Sequence, residues 1–206
     1  HLDGEHQHTV ERGISYLLNN ISGDGTPSRE GVFGAATSCA ALCEAYAMTG
    51  DANCKSAADR LLAYLSSAQG PMGGWGASPL GLGANRFQSR HETHVSAWVA
   101  MAFASAKNSG MTFDENVVRR YQEFTIRILD AKGQVPAILQ NDQTEGHHER
   151  LTALTLAARM MNGENLKSDR IDDMLSRVNS KLPSSFLPRW TTKAKAMDNE
   201  LWYSAT

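Results

Sequence analysis

Two short runs hold the side chains best suited to moving protons, "RHETH" (90–94) and "HHE" (147–149). An imidazole exchanges a proton near neutral pH and a neighbouring carboxylate orients it. His94, His147 and Glu149 are therefore the candidates for general acid–base catalysis. His91 and His148 stand beside them as candidate ligand-binding groups, with Glu92 in the same run. Zinc takes imidazole nitrogen and carboxylate oxygen at about 2.0–2.2 Å, and three such ligands with a water would make a hydrolytic centre. The histidines of "HETH" (91–94) are spaced more closely than in the His-Glu-x-x-His of metalloproteases but still fall on neighbouring helical positions; no metal ligand set is assigned and no cofactor is expected, with zinc the alternative left open. A second group suits binding: Arg86, Phe87, Arg90, Trp98, Trp202 and Tyr203. Rings stack on the faces of sugars or isoprenoids, and a guanidinium pairs an anion. Several of these residues lie in "WGASPLGLGANRFQSRHETH" (75–94), a long connection of the kind that carries function.

Composition narrows the field. The 206 residues suit one domain with a substantial core. A formal charge of −2 argues against a nucleic-acid surface. No apolar run approaches the roughly 20 residues a membrane-spanning helix needs. The 3 cysteines cannot close a disulfide framework, and Cys39 and Cys43, four apart on an apolar stretch, read as small buried hydrophobes. The first residue is His1 rather than Met, and the final "LWYSAT" (201–206) breaks off in mid-pattern. The expectation is a processed or trimmed piece of a longer polypeptide, its compartment open.

The elements that must position these side chains form a repeat. Three small-residue segments align on a closing glycine: "GAATSCAALCEAYAMTG" (34–50), "HVSAWVAMAFASAKNSG" (94–110) and "HHERLTALTLAARMMNG" (147–163). Apolar residues surround most of their circumference, which predicts helices buried on most sides, each ending at a left-handed glycine cap. This alignment makes His94 and His147 equivalent. Between them run half-polar helices at about 9–21, 53–68, 114–129 and 168–181, with Asp114 and Ser168 as N-caps. The first three end in related punctuation, "SGDG" (22–25), "AQGPMGGWG" (68–76) and "DAKGQV" (130–135), at a near-constant distance from Tyr16, Tyr64 and Phe124 to Asp24, Gly73 and Gly133. No strand is predicted. The reading is an all-α chain of one repeat domain, 1–206, with units 9–50, 53–110, 114–163 and 168–206. Such pairs bury their apolar faces only by stacking, with apolar helices inside and half-polar ones outside.

The stretch "RLLAYLSSAQGPMGGW" (60–75) resembles the QW motif of the squalene cyclase and prenyltransferase repeat superfamily, through Arg60, Tyr64, Leu65, Gln69, Gly73, Gly74 and Trp75. "RGISYL" (12–17) resembles the first half of another copy. The resemblance implies an α/α toroid in which the Gln caps the neighbouring outer helix and the Trp packs across the seam between repeats. "LWYSAT" (201–206) overlays "VFGAAT" (32–37), so a fourth inner helix starts where the sequence ends, and the open edge is left to further chain or another subunit. The family's catalytic signatures are missing. No Asp-x-Asp-Asp segment protonates an alkene, Cys54 lacks the prenyltransferase zinc spacing, and the Cys-Gly-Glu-Gln of the related thioester domains does not occur. Two readings stay open. One is a repeat domain binding a small apolar or carbohydrate ligand, or a protein partner, at the rim of the inner helices. The other is an enzyme, terpenoid cyclase-like or a lyase or hydrolase, using the rim histidines and carboxylates.

Overall fold

The computed structural model describes residues 6–26, 31–79, 90–147, 149–164 and 169–180. They are mostly helical, with α1 (Gln7–Asn19), α2 (Gly31–Thr49), α3 (Ala52–Ala68), α4 (Thr93–Asn108), α5 (Asn116–Arg127), α6 (Glu149–Met161) and α7 (Asp169–Asn179). A small sheet adds β1 (His91–Glu92), β2 (Pro136–Gln140) and β3 (Gln143–His147).

The alanine-rich segments form one layer. Helix α2 packs on α4, and α4 on α6, while α3 covers α2, α7 covers α6 and α1 leans on α2 and α3. Small side chains let these axes approach closely, and Val32, Ala35, Ala36, Cys39, Leu42 and Cys43 of α2 are completely buried. The cysteines are thus core residues, as their spacing implied. The Cys43 thiol and burial together hold the Cys39 thiol protonated well above its usual range. The closing glycines Gly50, Gly110 and Gly163 take the left-handed conformation, with φ of 71°, 72° and 73°.

The helices of this layer run in one sense. Near the start of α2, Val32 N donates to Ala77 O (3.1 Å), and near the start of α4, Trp75 N donates to Ser96 Oγ (2.8 Å). One repeat on, Thr93 Oγ1 donates to Pro136 O (2.5 Å) and Val135 N to Thr152 Oγ1 of α6 (3.2 Å). Their N-termini therefore share a rim.

The half-polar helices are joined by one turn used three times. Residues 22–26, 70–74 and 130–134 repeat the same bonds: Ser22 N to Thr26 O, Gly70 N to Gly74 O, Asp130 N to Gln134 O, then Gly25, Gly73 and Gly133 N back to Ser22, Gly70 and Asp130 O. Each glycine has a positive φ and lies on a main-chain carbonyl of the next outer helix. A Cβ would stand 2.3 Å from Arg60 O at Gly25, 2.3 Å from Arg120 O at Gly73 and 2.5 Å from Asp173 O at Gly133. The first turn is therefore anchored at Gly25, one residue beyond the Asp24 of the sequence alignment.

Side chains complete the middle junction. Gln69 Nε2 donates to Gly73 O (2.8 Å) and to Val117 O of α5 (2.9 Å), while its Oε1 accepts from Arg120 (2.8 Å). Trp75, with no exposed surface, donates from Nε1 to Leu65 O (2.7 Å) and packs on Phe103 and Tyr121. Burying a side chain of this size stabilises the fold by roughly 3 kcal/mol.

Two sequence expectations need correction. A three-stranded antiparallel sheet in the order β1-β2-β3 exists where no strand was predicted. Its hairpin turns on Asn141 and Asp142, both with positive φ (55° and 56°), the conformation of a two-residue turn that matches strand twist. The polar β3, "QTEGH", offers no apolar alternation to reveal it. The Asp114 cap is displaced: α5 starts at Asn116, and Asp114 Oδ1 accepts from Asn116 N (3.0 Å). Ser168 lies outside the described residues.

Candidate functional site

The rim where α2 and α4 begin gathers a compact group of side chains. Helix α4 starts directly after β1, so Glu92 and His94 leave the same corner. Glu92 holds the corner together, with Oε1 3.3 Å from Arg90 Nε and Oε2 3.8 Å from His94 Nε2. The His94 and Arg90 side chains remain about half exposed, at 49% and 48%. One helical turn on, the half-buried Trp98 meets Phe33 of α2 edge to face, at 5.9 Å and 83°. Phe33 also lies 6.3 Å from the His94 ring. The result is a partly exposed aromatic surface, Phe33 and Trp98, edged by an imidazole, a carboxylate and a guanidinium. It can stack a flat apolar or carbohydrate face and offer charged hydrogen bonds at its margin.

Phe33 escaped the sequence reading. The overlay of 32–37 on 201–206 aligns it with Trp202, which was selected, and could have pointed to it.

His91 does not belong to this surface. Successive strand residues point to opposite faces, so while Glu92 faces the rim, His91 faces inward. It is 1% exposed, packed against Phe124 (5.4 Å between centroids), with Nδ1 3.1 Å from where a Cβ on Gly74 would stand. Trp75 is likewise seam packing.

The hairpin brings the second run to the same rim. Pro136 faces His147 across the β2–β3 ladder and accepts a hydrogen bond from Thr93, the first residue of α4. His147 and Glu149 are described by their backbone path alone, as the end of β3 and the start of α6. Their equivalence to the first run shifts, however. Trp75 N on Ser96 and Val135 N on Thr152 match these two positions, which pairs His94 with Arg150 and His147 with His91. The cause is length: α4 has 16 residues and α6 has 13, one turn fewer, so alignment on the closing glycines slips at the other end. Arg86, Phe87, His148, Trp202 and Tyr203 lie outside the described residues. Among the described residues no cluster of three or more His, Cys, Asp or Glu could hold a metal ion.

Two cavities lie away from the rim. One of about 380 Å³ runs between Gln122, Ile126 and Arg127 of α5 and Arg159 of α6. The other, about 300 Å³, lies between Met72, Ile128 and the hairpin residues Leu139 and Thr144. Arg159 is consumed structurally. It is 2% exposed, ion-paired with Glu164 and donating to Gln122 O (2.8 Å) and Thr125 Oγ1.

Comparison with protein families and with curated proteins found no match. Among the described residues, no helix is long and apolar enough to cross a membrane.

Proposed function

We propose that this chain is a prenyltransferase and squalene cyclase-like repeat domain that binds a small ligand on the Phe33–Trp98 surface, with His94, Glu92 and Arg90 contacting the ligand's polar edge. The carrying observation is the edge-to-face pair of half-buried rings from two different helices, left partly exposed beside an organised Arg–Glu–His corner. Rings held by separate rigid helices lose little entropy on binding, which favours ligands with a flat apolar or CH-rich face. The toroidal reading draws its support from the junctions: a Gln bonded to the neighbouring outer helix, a buried Trp at the seam and a glycine turn repeated three times.

The test is a titration of the full chain with two panels, prenyl alcohols and diphosphates against neutral oligosaccharides, followed by NMR of the Trp98 indole. One panel is expected to shift Trp98. Trp98→Ala and Phe33→Ala should weaken that binding at least tenfold, about 1.4 kcal/mol, with little loss of thermal stability because both rings are partly exposed. Binding unchanged in both variants, or no shift of Trp98 by either panel, overturns the reading.

The catalytic alternative has one observation in its favour. The half-exposed His94 imidazole stands at an open rim with the Glu92 carboxylate 3.8 Å from its Nε2, within reach of a ligand as a general base requires. If the bound ligand is turned over, His94→Gln should abolish turnover while leaving binding within a few fold.

A further inference from the structure

His91 is the one imidazole among the described residues that is sealed from water. Neither ring nitrogen makes a hydrogen bond, although a buried polar group without a partner costs about 1–3 kcal/mol. Its surroundings explain why no partner is found. Gly74 closes one side, the Phe124 ring another, and β2 pairs with its backbone through Leu139. The charged side chains on the packed elements are engaged elsewhere. Arg120 of α5 bonds Gln69 and Gly70, Glu123 pairs with Arg119, and Arg127 reaches the Met72 sulfur. On its own strand Glu92 lies between Arg90 and His94. The turn 70–74 and β2 contribute no charge. Among the described residues an imidazolium formed there finds no counter-ion, and the Gly74 backbone, which favours it, offsets only part of the cost of burial.

We infer that His91 is a positioning residue that latches the rim in its neutral form: on protonation it leaves the junction between Gly74 and Phe124 and carries β1 away from Trp75. Strand β1 is only two residues long and is held on its inner side by Glu92 N donating to Trp75 O (2.7 Å). It cannot release the ring without moving Glu92 and the first turn of α4, which carries His94. Protonation of His91 therefore opens the rim from behind, through the strand that carries Glu92 and leads into α4.

The direction of the linkage follows from the burial. Burial lowers the pKa of His91 below the ordinary 6.5, against a smaller opposite pull from the Gly74 backbone. The unfolded or opened chain then takes up its proton at higher pH than the closed one. The latch is fully stabilising above 6.5 and weakens as pH falls from there toward the lowered value.

The inference stands apart from any ligand, so its test reads the backbone. Amide hydrogen exchange of the full chain is measured at Glu92 between pH 7 and pH 5 and corrected for the intrinsic rate. Exchange is expected to accelerate several-fold in the wild type, by at most about tenfold for each pH unit below the ordinary 6.5. It should change less than about twofold in His91→Leu, which fills the site without a titrating group. Imidazole NMR of the wild type gives a second readout that needs no variant. His91 should stay neutral at about pH 6, where an ordinary imidazole is mostly protonated. Equal acceleration in His91→Leu, or an ordinary titration of His91 with Glu92 still protected, overturns the latch.

Discussion

Gln69 shows how much one side chain can hold. Its amide nitrogen serves two carbonyls, one in its own turn and one in α5, and its oxygen takes a guanidinium hydrogen of Arg120. Every one of these partners is in another segment or at the end of one, and Gln69 has no exposed surface. Gln69→Leu preserves bulk but strands two carbonyls and a cation. It should lower stability by about 3 kcal/mol in urea unfolding. Gln69→Glu would keep the Arg120 partner while pointing oxygen at Gly73 and Val117, and should not rescue the loss. A propensity-based reading cannot find this role, since Gln is unremarkable at the end of a helix. The resemblance of residues 60–75 to the QW motif is what singled it out.

The β2–β3 hairpin is the element that carries His147 to the rim, and it rests on two residues in an unfavourable conformation. A left-handed non-glycine residue costs about 1–2 kcal/mol, which Asn and Asp bear better than most. Asn141→Ala should therefore destabilise the hairpin by about 1 kcal/mol. Hydrogen exchange should report it as faster opening of β2 and β3, with α2 and α3 unaffected. The helices were readable in the sequence because glycine caps and a 3.6-residue apolar period mark them at both ends. The hairpin was not, because its turn has no glycine and its second strand has no apolar face. That gap also misplaced His91: without a strand at 91–92 there was no reason to send His91 inward and Glu92 outward. The positions of His94 and Trp98 follow from where α4 begins, which the alanine-rich segment marks in the sequence.

In the whole molecule, stability accumulates at the junctions between helix pairs. The alternation of apolar and half-polar segments predicted two layers; the structure is largely helical, with α4 packed between α2 and α6. Each junction uses the same glycine contact, so breaking one should divide the molecule there. Gly73 has φ of 96°, and a methyl group would stand 2.3 Å from Arg120 O. Gly73→Ala should cost about 3 kcal/mol. Because repeats contact only their neighbours, unfolding should separate into two transitions, α1–α3 and α4–α7, followed by far-ultraviolet circular dichroism. A further consequence lies in what each glycine touches. It meets main chain first, and the residues supplying that carbonyl are Arg60, Arg120 and Asp173. The docking signal is thus written first in backbone shape, and among the described residues only at the middle junction does the receiving residue add its own side chain, Arg120, to the turn. Successive units can exchange basic for acidic letters while stacking in the same way.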